Sequence, residues 1–302
     1  MSVAENIAKL DDMVGPGVTA CLGCNAELSM RMALKVFGSN TIVGIPPGCM
    51  GGVQSVGWAD KTGMKIPVFF PLLDNTASML AGIKKYYERV GRDVNVVAFA
   101  GDGATVDAGF QALSGAAERG DNIIYVCYDN EGYMNTGFQR SSSTALGSWT
   151  STTPVGSSTK GKVSHKKDMP MIMAMHDIPY MATASPAYMP DMIKKLEKAK
   201  NVKNGLAYVH IYNTCATGWG YESERSIEIC RKGVQSRFTP IYEFENGKFS
   251  LNINIKKPIP IEDFLFSMKK YKHISEDQVK DLQRYTDEKW ENLLMLCNAT
   301  DK

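Results

Sequence analysis

Five positions carry residue types suited to a phosphate-bearing ligand: Gly101, Asp102, Gly103, Asn130 and Gly132. A glycine turn at the start of a helix suits a phosphate group, because free backbone N–H groups and the helix dipole both favour an anion. Asp102 adds a carboxylate to this turn, and two anions so close repel each other unless a cation stands between them. Mg²⁺ takes carboxylate, amide, carbonyl and phosphate oxygens in an octahedral shell. We therefore predict a magnesium ion held by Asp102, the side-chain amide of Asn130 and the carbonyl of Gly132.

The cysteines form a second reactive group. Cys21 and Cys24 make a CxxC pair, which zinc sites, redox dithiols and iron–sulfur clusters all use. Structural zinc sites usually bring two close pairs, whereas Cys49 and Cys215 stand alone. On loops at one edge of a sheet, these four cysteines could surround a [4Fe–4S] cluster. The other cysteines lie in predicted strands or helices and are interpreted as core residues: Cys127, Cys230 and Cys297.

Two buried strands and a helix must position Asp102 and Asn130. Residues 94–100 and 123–128 are short apolar runs, typical of strands buried on both faces. Between them, apolar residues from Asp107 onward follow helical spacing until Gly120. Such a unit is a right-handed parallel crossover, so both ends of the motif lie at the carboxyl edge of the sheet, where α/β proteins bind ligands.

The rest of the chain predicts an α/β fold with a doubly wound, mostly parallel sheet. Further strands are predicted at residues 41–45, 66–70, 180–184 and 206–212, with helices alternating between them. After residue 236 the pattern changes to two short strands around Asn246-Gly247, a strong hairpin signal, followed by two helices. We predict a cofactor-binding α/β domain at residues 1–236 and a hairpin with a helical appendage at 237–302. The apolar side of this appendage packs either against a partner subunit or against its own domain.

Two segments beside the motifs carry local predictions. Residues 46–52 are rich in proline and glycine, so we expect a tight loop and not a helix to present Cys49. Residues 137–167 are long, polar and without periodicity, which favours a loop that covers the site or contacts a subunit. The lysines of this loop are interpreted first as a solvated face and second as a docking site for an anionic partner: Lys160, Lys162, Lys166 and Lys167.

Composition excludes several classes of protein. The 302 residues carry a net charge of +2 and a pI near 8.0, which argues against nucleic acid as a partner. Residues 1–13 lack the apolar core of a signal peptide, and no apolar run is long enough to span a membrane. Seven cysteines without an export signal predict thiols or metal ligands in a reducing cytoplasm.

The spacing from Gly101-Asp102-Gly103 to Asn130 resembles the GDG…N motif of thiamine diphosphate (ThDP) enzymes. The run YDNEGYMNTG at residues 128–137 narrows this resemblance. It is similar to the ThDP-binding beta subunit of the 2-oxoacid:ferredoxin oxidoreductases, the pyruvate:ferredoxin oxidoreductase family. The resemblance extends from about Gly17 to the last helix.

The resemblance implies ThDP, Mg²⁺ and one [4Fe–4S] cluster as cofactors. In the family, a CxxC pair, a third cysteine and a distant fourth hold the cluster closest to ThDP, and these match, one by one, Cys21, Cys24, Cys49 and Cys215. Cys49 and Asn25 would also face ThDP, although most relatives have glycine at the position of Asn25. Asn135 would project into the substrate pocket as a catalytic residue. A nearly equal alternative is that Asn135 is only a turn residue ahead of Thr136.

The implied reaction is the oxidative decarboxylation of a small 2-oxoacid, with one-electron transfer to the cluster and on to ferredoxin. Pyruvate is the first candidate substrate, with coenzyme A commonly taking the acyl group. Oxalate is the second, because its oxidation yields only CO₂ and needs no coenzyme A. In the family the glutamate that activates ThDP sits on a separate pyrimidine-binding domain. We therefore expect an alpha subunit that supplies this domain and gamma- or delta-type subunits with a ferredoxin-like domain.

Two interpretations from other classes stay open. A non-redox ThDP lyase or synthase would share the GDG…N motif, but such enzymes usually carry both ThDP half-sites in one long chain and lack the four cysteines. A zinc-stapled binding module would use the cysteines without catalysis.

Overall fold

The computed structural model describes residues 3–53 and 63–300. The strands are β1 (Thr41–Gly44), β2 (Val68–Phe69), β3 (Asn95–Gly101), β4 (Ile124–Asp129), β5 (Tyr180–Ala184), β6 (Ala207–Tyr212), β7 (Tyr242–Glu245) and β8 (Lys248–Leu251). The helices are α1 (Val3–Ala8), α2 (Asn25–Phe37), α3 (Cys49–Val53), α4 (Thr76–Arg89), α5 (Phe110–Glu118), α6 (Met169–Ala174), α7 (Met189–Asn201), α8 (Ala216–Trp219), α9 (Ser226–Gln235), α10 (Ile261–Leu265) and α11 (Glu276–Thr300). No helix within these residues is long and apolar enough to cross a membrane.

Within the described residues, eight strands form one sheet in the order β2-β1-β3-β4-β6-β5-β7-β8. The strands from β1 to β6 pair in parallel, and β7 pairs antiparallel with both β5 and β8. The chain leaves β1 toward β2 and returns to place β3 on the other side of β1. The carboxyl ends of β1 and β3 therefore flank a topological switch point, where α/β sheets bind their ligands.

Helices cover both faces of the sheet, because alternate residues of each strand point to opposite sides. On one face, Val97 and Val126 pack in a core with α2 and α7. On the other face, Val96 and Tyr125 pack in a core with α4, α5 and α6. The predicted doubly wound α/β fold is confirmed.

The hairpin and last helix continue this architecture. Asn246 and Gly247 have φ values of 49° and 84°, as the predicted type I′ turn requires. β7 pairs with β5, so the segment after residue 236 extends the main sheet and is not set apart from it. Ser275 and Gln278 form the capping box at the start of α11 through reciprocal bonds of 3.3 Å. A contact with a partner subunit stays a prediction.

Two local predictions near Cys49 differ from the structure. Residues 49–53 form the short helix α3, with Cys49 as its first residue, and not a tight loop. Gly51 serves close packing in this helix, since a Cβ on it would lie 3.1 Å from the ring of Phe70. The predicted strand at 66–70 is reduced to the two residues of β2, which lie between Pro67 and Pro71. Proline has no N–H group to donate, so these residues limit the strand.

The loop at residues 137–167 is packed against the motif, and most of its lysines do not form a solvated face. Lys162 is buried and donates to the carbonyl of Thr144, and burial lowers its pKa to about 8. Lys167 donates to the carbonyl of Val106, at the start of the crossover helix. Lys166 lies 3.6 Å from the carboxylate of Glu131. Only Lys160 is fully exposed, so the first interpretation of this cluster is wrong.

Candidate functional site

A cavity of about 150 Å³ opens at the switch point, beyond the carboxyl ends of β1, β3 and β4. Cys49 and Asn135 line this cavity. Its walls also include every predicted residue of the ThDP and magnesium motif: Gly101, Asp102, Gly103, Asn130 and Gly132. The parallel pairing of β3 with β4, in which Gly101 lies beside Tyr128, brings the two halves of the motif together.

Three oxygen-bearing groups meet at one point of this cavity. One terminal atom of the Asn130 side-chain amide lies 3.1 Å from Asp102 Oδ1 and 2.9 Å from the Gly132 carbonyl oxygen. If that atom is nitrogen, it donates two hydrogen bonds; if it is oxygen, three acceptors face one another. Neighbouring ligands of an octahedral Mg²⁺, each about 2.1 Å from the ion, are about 3 Å apart. Both distances from the Asn130 amide are therefore those of neighbouring magnesium ligands, and rotation of the amide satisfies the same groups without the ion.

Asp102 is buried without a basic partner. It is 1% exposed and accepts a hydrogen bond of 2.5 Å from Ser141 Oγ. No Lys, Arg or His of the described residues forms an ion pair with it. Burial, and secondarily the charge of Asp129, raise the pKa of Asp102 well above its usual value. A cation beside Asp102 would balance this charge.

The two glycines of the motif are required by aromatic neighbours and not by a turn. Neither has a positive φ, and Asp102 itself is helical (φ −57°, ψ −41°). A Cβ on Gly101 would lie 3.1 Å from the ring of Tyr128, and one on Gly103 would lie 2.4 Å from the ring of Tyr133. The chain enters a π-helical turn (Gly103–Ala108) directly, so the predicted glycine turn before Asp107 is in fact the beginning of the helix.

The structure brings the four predicted cluster cysteines together. Cys24 and Cys215 precede α2 and α8, and their Sγ atoms accept bonds from the backbone N–H groups of Glu27 (3.4 Å) and Gly218 (3.3 Å). Burial raises the pKa of Cys24 to about 11 and that of Cys49 to about 12. The neighbouring thiolates, including those of Cys21 and Cys215, raise both pKa values further.

The four cysteines are grouped more loosely than the ligands of a single metal ion. Across residues 3–53 and 63–300, no three His, Cys, Asp or Glu side chains are grouped closely enough to hold a single metal ion. Tetrahedral zinc, about 2.3 Å from each sulfur, needs sulfurs roughly 4 Å apart. The ligands of an iron–sulfur cluster bind separate iron atoms and stand farther apart. Cys49 belongs to both the cysteine group and the cavity wall, so the two sites adjoin.

Asn25 lies away from the cavity. Its side-chain nitrogen donates to Thr214 Oγ1 (2.8 Å), the Ser226 carbonyl (3.2 Å) and Cys230 Sγ (3.2 Å). The first turn of α2 directs Asn25 inward, toward the start of α9, which does not support the predicted contact with the cofactor. Asn25 instead ties the helix after Cys24 to the residue before Cys215.

Sequence reasoning missed two neighbours of the predicted metal ligands. Ser141 bonds to Asp102 from the long polar loop, and its only signal is the position of that loop directly after the motif. Glu131, between Asn130 and Gly132, is 3% exposed and pairs with Lys270 at 2.6 Å. A charged residue inside so tight a motif is a signal that sequence analysis could have used.

A larger cavity, of about 210 Å³, lies on the far side of Asp129 under α11. It is lined by Lys166, Tyr212 and Thr286, among others, and by none of Asp102, Asn130 and Gly132. Although this cavity is larger than the one at the switch point, the residues of the motif do not line it.

Comparison with known proteins agrees with the position of the smaller cavity. Residues 48–211 match the family model of the thiamine pyrophosphate enzyme C-terminal TPP-binding domain. This range contains every residue that lines the cavity except Pro47, but not Cys21, Cys24 or Cys215.

Two relatives match most of the chain. The NADH-dependent phenylglyoxylate dehydrogenase subunit beta of Aromatoleum evansii is 46% identical over 94% of this chain, which spans 64% of that protein. The pyruvate synthase subunit PorB of Methanothermobacter thermautotrophicus is 43% identical over 92% of this chain and 96% of its own. A 2-oxoglutarate:ferredoxin oxidoreductase from Magnetococcus marinus, 19% identical, has the same fold, with a TM-score of 0.59 over 76% of this chain and 80% of that chain.

Proposed function

The chain belongs to the family of thiamine diphosphate-binding beta subunits of the 2-oxoacid oxidoreductases, and we propose that it holds Mg²⁺, ThDP and one [4Fe–4S] cluster in such a complex. The observation that carries this proposal is the meeting of Asp102, Asn130 and Gly132 beside a cavity that Cys49 also lines. The proposed complex decarboxylates a small 2-oxoacid oxidatively and passes single electrons to the cluster and then to ferredoxin.

The metal ligands and the helix start would hold the diphosphate end of ThDP. Asp102, Asn130 and Gly132 bind Mg²⁺, and the free N–H groups of the π-helical turn face the phosphates. Ser141 keeps the Asp102 carboxylate oriented through its hydrogen bond. When bound, ThDP supplies the electron sink for decarboxylation of a 2-oxoacid.

Cys21, Cys24, Cys49 and Cys215 would hold the cluster. The N–H groups of Glu27 and Gly218 already point at two of the sulfurs, and such bonds stabilise thiolate ligands and tune the reduction potential of a cluster. Because Cys49 lines the cavity, the cluster would adjoin ThDP and suit one-electron steps.

Asn135 is the proposed substrate-orienting residue. It is exposed and lines the cavity, where its amide can donate to or accept from the carboxylate and oxo groups of a 2-oxoacid. The two relatives are named for phenylglyoxylate and pyruvate, so the substrate class rests on family membership. Pyruvate with coenzyme A is the first candidate, and oxalate without coenzyme A is the second. A substrate panel with pyruvate, oxalate and phenylglyoxylate, followed by reduction of a low-potential dye, distinguishes them.

The cavity lacks one part of a complete ThDP site. Among the described residues that line it, there is no glutamate that could activate the aminopyrimidine ring. We propose that an alpha subunit supplies this glutamate and that a gamma- or delta-type subunit supplies the clusters leading to ferredoxin.

The assignment is tested by Asp102→Ala in the co-expressed complex, with ThDP binding measured as a function of Mg²⁺ concentration. Loss of a first ligand should weaken Mg²⁺-dependent ThDP binding at least about 100-fold, since even outer-shell partners are worth 10- to 100-fold. Iron content and thermal unfolding should stay close to wild type, because Asp102 lies at the edge of the sheet.

Asp121→Asn is the matched control. Asp121 is a buried aspartate at the opposite end of the same crossover, paired with Arg119 at 2.7 Å. It should bind ThDP like the wild type. Unchanged ThDP affinity in Asp102→Ala would remove Asp102 from the metal site.

A further inference from the structure

The loop between two proposed magnesium ligands, residues 130–132, has an unusual backbone conformation; it is called the metal loop below. Glu131 has φ of 62°, in the left-handed region that residues other than glycine, asparagine and aspartate rarely adopt. It is 3% exposed, so its carboxylate is held inside the protein. Such a conformation persists only where the surroundings hold it in place.

Lys270 provides the main hold on Glu131. Its side chain is 0% exposed, and its Nζ lies 2.6 Å from Glu131 Oε2. Lys166 lies 3.6 Å from the other carboxylate oxygen. A buried ion pair is costly to break at one partner, because the remaining charge is left without compensation.

Trp219 connects this pair to the cysteine group. Lys270 Nζ lies 3.4 Å from the centre of the indole ring, a close cation–π contact. The indole Nε1 donates to the carbonyl of Asn130 (2.9 Å), and the backbone N–H of Trp219 donates to the carbonyl of Cys215 (2.9 Å). The side chain of Trp219 therefore contacts the metal loop, and its helix α8 begins directly after the proposed cluster ligand Cys215.

We propose that Lys270 and Trp219 are positioning residues that fix the metal loop against the helix following Cys215. This inference rests on the proposed function, since it concerns the Mg²⁺ and cluster ligands named there. It gives the segment after residue 236 a role in the site: its Lys270 reaches Glu131, 139 residues away in the sequence.

The test uses the co-expressed complex with three charge variants: Lys270→Met, Glu131→Gln and the double variant. Each single change should raise the Mg²⁺ concentration for half-maximal ThDP binding about 10-fold or more, as loss of an outer-shell partner does. The double variant should recover part of this loss, because neither charge is then left unpaired. Lys272→Met, an exposed lysine of the same segment, should match the wild type.

Trp219→Phe tests the link to the cluster and keeps an aromatic ring for packing. It removes the N–H group that holds Asn130, so it should raise the half-saturating Mg²⁺ concentration. It should also alter the electron paramagnetic resonance spectrum of the reduced cluster, because α8 begins at Cys215.

These measurements distinguish a failure of the positioning role from a failure of the proposed function. If Lys270→Met and Trp219→Phe lower the melting temperature but leave the Mg²⁺ dependence and the spectrum unchanged, the network only stabilises the fold and the positioning role is overturned. If the wild-type complex itself shows no Mg²⁺-dependent ThDP binding, the proposed function is overturned as well.

Discussion

At the scale of single residues, the distribution of charge singles out Asp102. Three buried carboxylates lie in or beside the metal loop, those of Asp102, Asp129 and Glu131. Burial alone would raise the pKa of Asp129, but His210 Nε2, 2.9 Å away, lowers it. Glu131 is paired with Lys270. Asp102 is the one of the three without a Lys, Arg or His partner among the described residues, which is the property expected of a metal ligand.

The tight contact at Gly103 leads to a prediction for Gly103→Ala. The new Cβ would lie 2.4 Å from the ring of Tyr133, which lines the cavity and donates to the Gly103 carbonyl (3.1 Å). Displacement of this ring should destabilise the protein by about 1–3 kcal/mol, as overpacking does. It should also weaken ThDP binding, measured by titration alongside chemical denaturation.

Gly82→Ala is the control for this substitution. Gly82 is exposed in α4, and a Cβ there would meet nothing within 4 Å. The change should stabilise the protein by about 0.5–1 kcal/mol through helix propensity and leave ThDP affinity unchanged. Wild-type affinity and stability in Gly103→Ala would show that close packing is not the reason for this glycine.

At the scale of elements, three proposed cluster ligands lie at the starts of helices. Cys24 and Cys215 immediately precede α2 and α8, and Cys49 is the first residue of α3. Helix N-termini offer free N–H groups to negatively charged thiolates. This common placement explains how cysteines far apart in sequence converge at one edge of the sheet.

The cysteine assignment predicts the outcome of seven serine substitutions. Loss of a ligand should lower the iron content and bleach the brown colour of the anaerobically purified complex at Cys21, Cys24, Cys49 and Cys215. The other three cysteines lie on a strand or within helices and should tolerate serine: Cys127, Cys230 and Cys297. Bleaching by Cys230→Ser, with Cys49→Ser still brown, would contradict this ligand set.

Sequence periodicity predicts the central elements because it reports local burial. Residues 94–100 and 123–128 are apolar except at Asn95, and the strands that they predict, β3 and β4, are buried on two faces. The same reasoning fails at α3, where Gly51, one of the glycines that argue against a helix, packs closely against the ring of Phe70. It also misses the π-helical turn after Gly103, since nothing in the local pattern reports the rings above the two glycines.

At the scale of the whole molecule, the site depends on contacts that sequence spacing does not report. Ser141 reaches Asp102 and Lys270 reaches Glu131 from segments that the sequence assigns to a loop and an appendage. The GDG…N motif predicts a set of metal ligands because its two halves lie on adjacent strands. Side chains that orient those ligands become visible only in the folded chain.

The groups that the chain contains also determine whether it can catalyse the proposed reaction without partner subunits. Its one sheet carries the proposed diphosphate-and-metal site and the proposed four-cysteine site, but the cavity walls include no activating glutamate among the described residues. A general acid–base group of this kind contributes roughly 10²- to 10⁴-fold in rate. We therefore expect the chain to be inactive without its partner subunits.

The most direct test compares 2-oxoacid-dependent reduction of a low-potential dye by the chain alone and by the co-expressed complex. Both samples are loaded anaerobically with iron, sulfide, Mg²⁺ and ThDP. We predict no appreciable reduction by the isolated chain, full turnover by the complex, and loss of that turnover when a glutamate of a partner subunit is substituted. Robust turnover by the chain purified alone would contradict the account, because the activating group would then lie within this chain.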